Sequence, residues 1–359
     1  MAKPNHYGLI LAGGRGTRFW PRSRKRHAKQ VLNVHGERTL IQATVERLAP
    51  VIPPERMWIL TNDFVRDEIV RQLPQVPASQ IIAEPAQRNT APAIALAAHI
   101  LHSIDPKAVF GVFPSDHVIG NPKRYLQFVR SAFKAAEKGR ISVLGIQPRW
   151  AETGYGYIEF DKGVAAGSLD AVDVNSFHEK PELKVARKFY RSGRHFWNAG
   201  MFIWKAETAL NALRKHQPKT ATLISSLPPF AHSDFAARLS EVFPLCENVS
   251  IDYGVMEHAD NVVGIACDDF GWNDVGSWDA VYELMPRDSS ANAARSELLS
   301  ADSTGNYVDC GKKIVALLGI KNLIIVDTPD ALLVADRSRA QQVGDIVKLL
   351  EKNSREELL

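Results

Sequence analysis

The sequence predicts an α/β protein: a mainly parallel sheet covered by helices on both faces, then a small all-β unit and a terminal helix. Three observations carry this. Short apolar runs alternate with segments of helical periodicity from residue 7 to about residue 146. A polar stretch rich in small residues, 287–304, interrupts that pattern and reads as a linker. Beyond it come four short apolar runs at close spacing.

Each element follows from its residues. Residues 7–11 form a short buried strand that runs into Gly13-Gly14. Leu40, Ile41, Val45 and Leu48 have helical spacing over 39–48. Strands at 57–60, 81–83, 109–113 and 141–146 then alternate with helices at 63–72, 90–103 and 122–138; Pro92 is tolerated in a first helical turn. Such alternation implies parallel strands, and ligands of such sheets gather at the carboxyl ends of the strands. The middle of the chain is less regular, with strands at 155–160, 172–177 and 197–204 and a short helix at 250–258. Strands at 307–309, 314–318, 323–326 and 331–334 precede a helix at 339–350.

Length and composition bound the function. A chain of 359 residues suits two domains at about 150 residues each. The net charge, 44 basic minus 40 acidic residues or +4, gives no general reason to expect a nucleic-acid partner. Its distribution says more. Arg15, Arg18, Arg22, Arg24, Lys25, Arg26 and Lys29 follow one another with no acidic residue between them. That run suits a polyanionic ligand; a solvated basic loop is the competing reading. Cys246, Cys267 and Cys310 form no close pair, which leaves no disulfide framework or zinc spacing. The first eleven residues lack the apolar region of a secretion leader. No apolar run approaches the roughly 20 residues of a membrane span. The expectation is a soluble, cytoplasmic protein with no membrane partner.

The chemistry sits in five motifs. Leu11-Ala12-Gly13-Gly14-Arg15-Gly16-Thr17-Arg18 is a glycine-rich turn after a strand, which lets backbone N–H groups approach phosphate oxygens. Phe19 stands where a dinucleotide fingerprint needs its third glycine, and no Gly-Lys-Ser/Thr makes it a P-loop. What remains is a phosphate-sized turn followed by Arg18, Arg24 and Lys29, or else a plain glycine-rich connection. Glu84-Pro85-Ala86-Gln87-Arg88-Asn89-Thr90 gathers a carboxylate, an amide and a hydroxyl at a strand end. Asn89 or Thr90 can equally cap the following helix, whereas Glu84 can accept a pair of N–H bonds, as from a guanine edge. In Phe113-Pro114-Ser115-Asp116-His117 the aspartate can hold Mg²⁺, and His117 alone reads as structural. Gly271-Trp272-Asn273-Asp274-Val275-Gly276 offers a second such carboxylate. Around Tyr155-Gly156, Glu179-Lys180 and Trp197-Asn198-Ala199-Gly200 lie the aromatics, amides and charges that sugar hydroxyls require, although Glu179-Lys180 also fits an exposed turn before Pro181.

Together these segments resemble the mannose-1-phosphate guanylyltransferases, over residues 7 to about 283 and again at 326–338. Residues 11–18 alone mark the wider sugar nucleotidyltransferase superfamily; the other motifs, in the family's order, point to the mannose and guanosine branch. The resemblance implies a Rossmann-like nucleotidyltransferase domain over 1–286. It also implies a short left-handed β-helix with a terminal helix over 300–359, which packs against a partner subunit in a homodimer. The implied reaction transfers a guanylyl group from GTP to α-D-mannose 1-phosphate, giving GDP-mannose and pyrophosphate. Arg18, Lys29 and Lys180 would be catalytic. Leu11, Ala12, Gly13, Gly14, Arg15, Gly16, Thr17 and Ser115 would hold the nucleotide, with Glu84, Pro85, Asn89 and Thr90 around the nucleoside. Tyr155, Gly156, Glu179, Asn198 and Gly200 would line the sugar site, and Asp116 and Asp274 would bind Mg²⁺.

One departure stands out. The family usually has proline before Lys29, where this chain has Ala28, so the chain entering the lysine is expected to be looser. Some relatives also carry a C-terminal phosphomannose isomerase domain; with nine residues after Leu350, that activity is expected to be absent. Two other readings compete: the same chemistry with another hexose or base, and a catalytically silent subunit that senses a nucleotide-sugar. Asp116, Asp274 and Lys29 together argue against silence.

Overall fold

The computed structural model describes residues 5–359. Residues 1–4, the start of the segment weighed as a leader, lie outside the described residues. Twelve strands build the first part of the chain: β1 (His6–Leu11), β2 (Met57–Thr61), β3 (Ile81–Ala83), β4 (Val109–Pro114), β5 (Val118–Ile119), β6 (Ile141–Ile146), β7 (Tyr157–Glu159), β8 (Ala171–Asp173), β9 (Ser176–His178), β10 (His195–Lys205), β11 (Val262–Cys267) and β12 (Trp272–Asn273). The central sheet runs β3-β2-β1-β4-β10-β6-β11-β8, with β7 and β9 added beside β10. β1 to β4 are mutually parallel, as are β6 and β11. The sheet is thus mainly parallel, as the alternation predicts, but mixed at its centre: β10 runs antiparallel to both β4 and β6. Strand β10 breaks register between Asn198 and Phe202, where Gly200 takes a positive φ of 65°. This bulge turns the strand's polar end toward the carboxyl end of β4.

Neighbouring strand residues face opposite cores, as the pleat requires. Leu9, Phe110 and Phe202 pack under α3 (Thr90–Ile104), while Ile10, Val109 and Ile203 pack under α1 (Leu40–Leu48), α2 (Asp63–Gln72) and α4 (Pro122–Ala136). Helix α3 is buried from Ala91 to Ala98 because its alanines let the sheet and neighbouring helices close in on several sides. Helix α1 starts in a capping box between Thr39 and Gln42. The irregular middle holds more than the sequence suggests: α5 (Leu183–Ser192), α6 (Ala206–His216), α7 (Pro218–Ser225) and α8 (Phe235–Val242). Each is short and polar along most of its surface. Tertiary burial of a few residues, such as Ala209, Leu213, Ile224 and Leu239, holds them rather than a long apolar period. The stretch 250–258 forms a π-helical turn at Asp252–Met256.

The C-terminal unit is wound in coils. Strands β13 (Ala293–Ala294), β15 (Tyr307–Asp309) and β17 (Leu323–Asp327) stack in parallel, as do β14 (Leu298–Ala301) and β16 (Val315–Leu318); β18 (Leu332–Asp336) closes antiparallel on β17. Residues 287–304 are therefore not a linker: they carry the first coil. Its strands are two and four residues long, too short to leave an apolar run in sequence. Buried Asn306 ties successive coils, donating to Asn292 Oδ1 at 2.9 Å and accepting from the Leu323 N–H at 2.9 Å. A 3₁₀ turn, Arg337–Gln342, leads into the terminal helix α10 (Val343–Lys352); α9 (Trp278–Leu284) precedes the coils. Phe19, Trp20, Trp278, Tyr307, Ile324, Val326, Val343 and Val347 share one cluster, so the C-terminal unit is packed onto the glycine-rich loop rather than tethered to it. Among the described residues, no helix is long and apolar enough to cross a membrane.

Candidate active site

The carboxyl ends of β1, β3 and β4 open onto a cleft of about 600 Å³. Leu11, Gly13, Gly14 and Gly16 line it after β1, Glu84, Asn89 and Thr90 after β3, and Ser115 and Asp116 after β4, with Lys29 at its floor. Gly16 has a φ of +64°, and a Cβ there would lie 2.5 Å from Lys29 Cβ, so only glycine lets the loop cross the lysine this closely. Not every residue expected to hold the nucleotide faces the cleft. Ala12 is buried, and its carbonyl accepts from Gln30 Nε2 at 2.6 Å and Thr61 Oγ1 at 2.9 Å; it braces the loop. Arg15 and Pro85 face an adjoining hollow of about 330 Å³. Thr17 packs against Gly344 of α10.

Burial pushes the Glu84 carboxyl up to about 8. One of its oxygens, Oε1, is buried with no hydrogen-bond partner, and a Cβ on Gly13 would sit 3.0 Å from the other. A buried polar atom left unpaired at a cleft wall is suited to a ligand donor. Asn89 holds a φ of +65° and caps α3 by accepting from the Thr90 N–H at 3.0 Å, so the capping role is present at this cleft residue. Thr90 Oγ1 accepts from the Ile251 N–H at 2.8 Å and fixes the segment before Asp252.

Lys29 is the hub of the site. It is 5% exposed, its Nζ lies 2.8 Å from Asp116 Oδ2 and 2.9 Å from the Asp274 carbonyl, and it sits over the Phe19 ring. One cation thereby joins the strand end after β4 to the turn after β12, 245 residues away from it in sequence. The alanine before it does not loosen this arrangement: Ala28 has φ −66° and ψ 159°, the backbone a proline would impose. Burial raises the Asp116 carboxyl, but the Lys29 ammonium, by charge and by its hydrogen bond, outweighs it and holds the group below its ordinary range. Burial drives His117 down to about 4, and its Nδ1 accepts from the Trp272 indole at 3.2 Å, so His117 is a neutral structural residue.

Asp274 faces a second cavity of about 750 Å³, which Arg18, Tyr155 and Lys180 also line. Tyr155, expected in the sugar wall, donates its hydroxyl to Asp274 Oδ1 at 2.7 Å; burial first and then Asp274 push the phenol well up, so it acts as a donor that orients the aspartate. Gly156 lies against Glu179 and Asn198; Gly156 and Glu179 are next in sequence to the lining residues Tyr155 and Lys180, and Asn198 bonds Gly200. A Cβ on Gly156 would lie 2.3 Å from Glu179 Oε2, itself buried and unpaired. Glu179 Oε1 meets Lys180 Nζ at 2.9 Å, so the Glu-Lys pair spans the surface, with a buried carboxylate and an exposed ammonium. Asn198 accepts from the Gly200 N–H at 3.0 Å and donates to Asp252 Oδ1 at 2.9 Å. Asp252, raised to about 6 by burial and then by Glu179, went unnoticed in sequence because it lies in an ordinary-looking helical segment. Gln30 and Asn248 also line the first cleft without any sequence signal that marks them.

The basic run has a divided fate. Arg15 pairs with Glu351 at 3.0 Å, Arg22 with Asp309 at 2.5 Å, Arg24 with Asp330 at 2.9 Å and Lys25 with Glu356 at 2.6 Å. Most of this charge docks the C-terminal unit. It is neither a solvated face nor entirely reserved for a polyanion.

A glycine-rich turn, a lysine and an aspartate at the strand ends of a mixed α/β sheet, with a second aspartate after β12, suit a site for transferring a nucleotide. The chain belongs to the nucleotidyl transferase family, whose model matches residues 7–291. Residues 296–350 match the MannoseP isomerase/GMP-like beta-helix domain. The chain is 38% identical to a mannose-1-phosphate guanylyltransferase of Salmonella muenchen, over 97% of this chain and 74% of the relative. It is 36% identical to one of Escherichia coli strain K12, over 99% and 76%. A solved structure described as a mannose-1-phosphate geranyltransferase from Thermus thermophilus superposes with a TM-score of 0.85 at 32% identity, covering 97% of this chain and 99% of that one.

Proposed function

We propose that the protein transfers the guanylyl group of GTP to α-D-mannose 1-phosphate, releasing pyrophosphate and forming GDP-mannose. The observation that carries this reading is Lys29 bound to both aspartate loops where the nucleotide cleft meets the second cavity. The relatives named above support mannose and guanosine in particular.

The chemistry explains why these side chains suffice. A sugar 1-phosphate oxygen is largely ionised at neutral pH, since the second phosphate pKa is about 6. It needs no general base to attack the α-phosphate. The barrier is repulsion between two anions and charge on the departing pyrophosphate, which positioned cations relieve. In this reading Gly13, Gly14 and Gly16 present backbone N–H groups to the triphosphate. Glu84 takes the guanine N–H edge, with Asn89, Thr90 and Ser115 around the nucleoside. Lys29 neutralises charge between the reacting phosphates, Arg18 meets the leaving group, and Lys180 meets the sugar phosphate. Gly156 admits the hexose beside Glu179, Asn198 and Gly200.

Asp116 and Asp274 fit a Mg²⁺ ion. Among the described residues no cluster of three or more His, Cys, Asp or Glu forms a ready cage, but Mg²⁺ is commonly held by one or two carboxylates plus water and substrate phosphate. Lys29 occupies one oxygen of Asp116 and Tyr155 one oxygen of Asp274, leaving each its second. When bound there, the ion would offset negative charge on the phosphates. We further propose a homodimer built on the C-terminal unit, where Leu299, Leu318, Leu332 and Val334 are exposed, and a cytoplasmic location, in keeping with three free buried cysteines.

A panel of nucleoside triphosphates against sugar 1-phosphates, scored by pyrophosphate release, tests the assignment. GTP with mannose 1-phosphate should give the highest kcat/KM; a clear preference for UTP or dTTP would defeat it.

A further inference from the structure

The loop cations differ in what holds them. Arg15, Arg22, Arg24, Lys25 and Lys29 each meet a carboxylate, which cancels much of their charge. Arg18 instead donates from Nη1 to the amide oxygen of Gln341, at 2.5 Å. Gln341 comes from the 3₁₀ turn that leads into α10, 323 residues away in sequence, yet it lines the same cavity as Arg18, Asp274 and Lys180. The backbone around this contact is fixed at both ends. Gly344 packs on Thr17, and the Trp20 indole donates to the Leu358 carbonyl at 3.0 Å.

From this geometry we infer that Gln341 is a positioning residue of the active site: it aims the Arg18 guanidinium into the cavity while leaving its positive charge available to a phosphate. The choice of side chain matters physically. A neutral acceptor restrains a guanidinium and still leaves it an uncompensated cation. A carboxylate would bind it more strongly, by a charge-assisted pair that a phosphate must then break. The C-terminal unit is on this account one wall of the catalytic site as well as a docking module. The inference rests on the nucleotidyl-transfer reading but on neither base nor hexose, because Arg18 would face phosphate in every case.

The test compares Gln341→Ala, Gln341→Glu and Arg18→Ala, singly and in double combinations, by pyrophosphate release and thermal melting of the full chain. The parent is assayed first, with whichever triphosphate and sugar 1-phosphate pair the panel favours. Because Gln341 is exposed, both of its variants should melt with the parent. Gln341→Ala should lower kcat about fivefold or more, and Gln341→Glu should raise KM for the triphosphate about tenfold. Neither change should add to Arg18→Ala, since the two residues act as a unit. If no pair turns over, the reading of the reaction fails, and calorimetric binding of inorganic pyrophosphate takes its place: Gln341→Glu should weaken it about tenfold. Parent-like behaviour of both Gln341 variants, or an effect undiminished in the Arg18→Ala background, would overturn the assignment.

Discussion

If Glu84 receives the guanine edge as proposed, its buried carboxyl ties base recognition to pH. Its carboxyl is raised by burial from 4.5 to about 8. A guanine edge presents two adjacent N–H donors, which an ionised carboxylate can accept together and a protonated one cannot. At pH 7 about ten molecules in eleven hold Glu84 protonated, and deprotonation before binding weakens apparent affinity about elevenfold; at pH 8 the factor is about two. The Kd for GTP should therefore fall about fivefold between pH 7 and pH 8. The terminal phosphate of GTP contributes little there, because its own ionisation lies near pH 6. Calorimetry at pH 7 in buffers of different ionisation enthalpy should report close to one proton released per GTP bound. Glu84→Gln should remove both the slope and the proton. The same shift makes a stability claim. A carboxyl raised on folding adds stability below its unfolded value and loses it as pH climbs through about 8. The melting temperature of the ligand-free parent should decline over that window, and that of Glu84→Gln should decline less. A Kd for GTP that is flat from pH 7 to pH 8, or equally steep in Glu84→Gln, would refute the carboxylate contact with the base.

Other perturbations separate the parts of the site. Asp116→Asn and Asp274→Asn preserve size and capping, so both should stay folded, lose most turnover and need more Mg²⁺ for what remains; an unchanged Mg²⁺ titration would remove that residue from the metal site. Lys29→Met should cost stability as well as turnover, roughly 1–3 kcal/mol, since it strips the partner from Asp116 and the donor from the Asp274 carbonyl; a parent-like melt would contradict the hub role. Ala28→Pro should keep activity and raise stability by about 0.4–1 kcal/mol, because the backbone is already at φ −66°; a drop in activity would show that the proline ring displaces Lys29. Gly156→Ala places a methyl only 2.3 Å from Glu179 Oε2, so that carboxylate must move. It should raise KM for mannose 1-phosphate about tenfold or more without moving KM for GTP, and equal rises in both would argue against a sugar-side role.

The sequence made β1 to β4 and β6 legible because each is a short apolar run bounded by a helix with a clear period; two-residue β5 left no such run. It was silent about α5 to α8, whose hold on the fold lies in a few contacts made only after the chain has folded. It also misread the first coil of the C-terminal unit, since strands of two and four residues leave no run to detect. At the site, the motifs single out Lys29, Glu84 and Asp116, which line one cleft, and Asp274, which faces the next, but they do not say which groups bond to each other. Tyr155 was legible as an aromatic near a sugar motif, not as the donor to Asp274.

The basic loop shows most clearly why a one-dimensional reading stops short. Seven cations without an acid between them look like one object, yet the fold divides them. Four are neutralised by carboxylates that follow residue 308: Asp309, Asp330, Glu351 and Glu356. Lys29 is neutralised by Asp116, Arg18 is held by an uncharged amide, and Arg26 is exposed. Charge counted along the chain measures how many cations there are; what they do depends on the sign and reach of partners supplied by a distant unit. Because those partners come from the C-terminal coils, α10 and the residues just after it, removing that unit would unpair four cations beside the glycine-rich loop and expose Phe19, Trp20 and Trp278 of their shared cluster. The C-terminal unit and the glycine-rich loop therefore form one electrostatic assembly, and a substitution in either should be read for its effect on both.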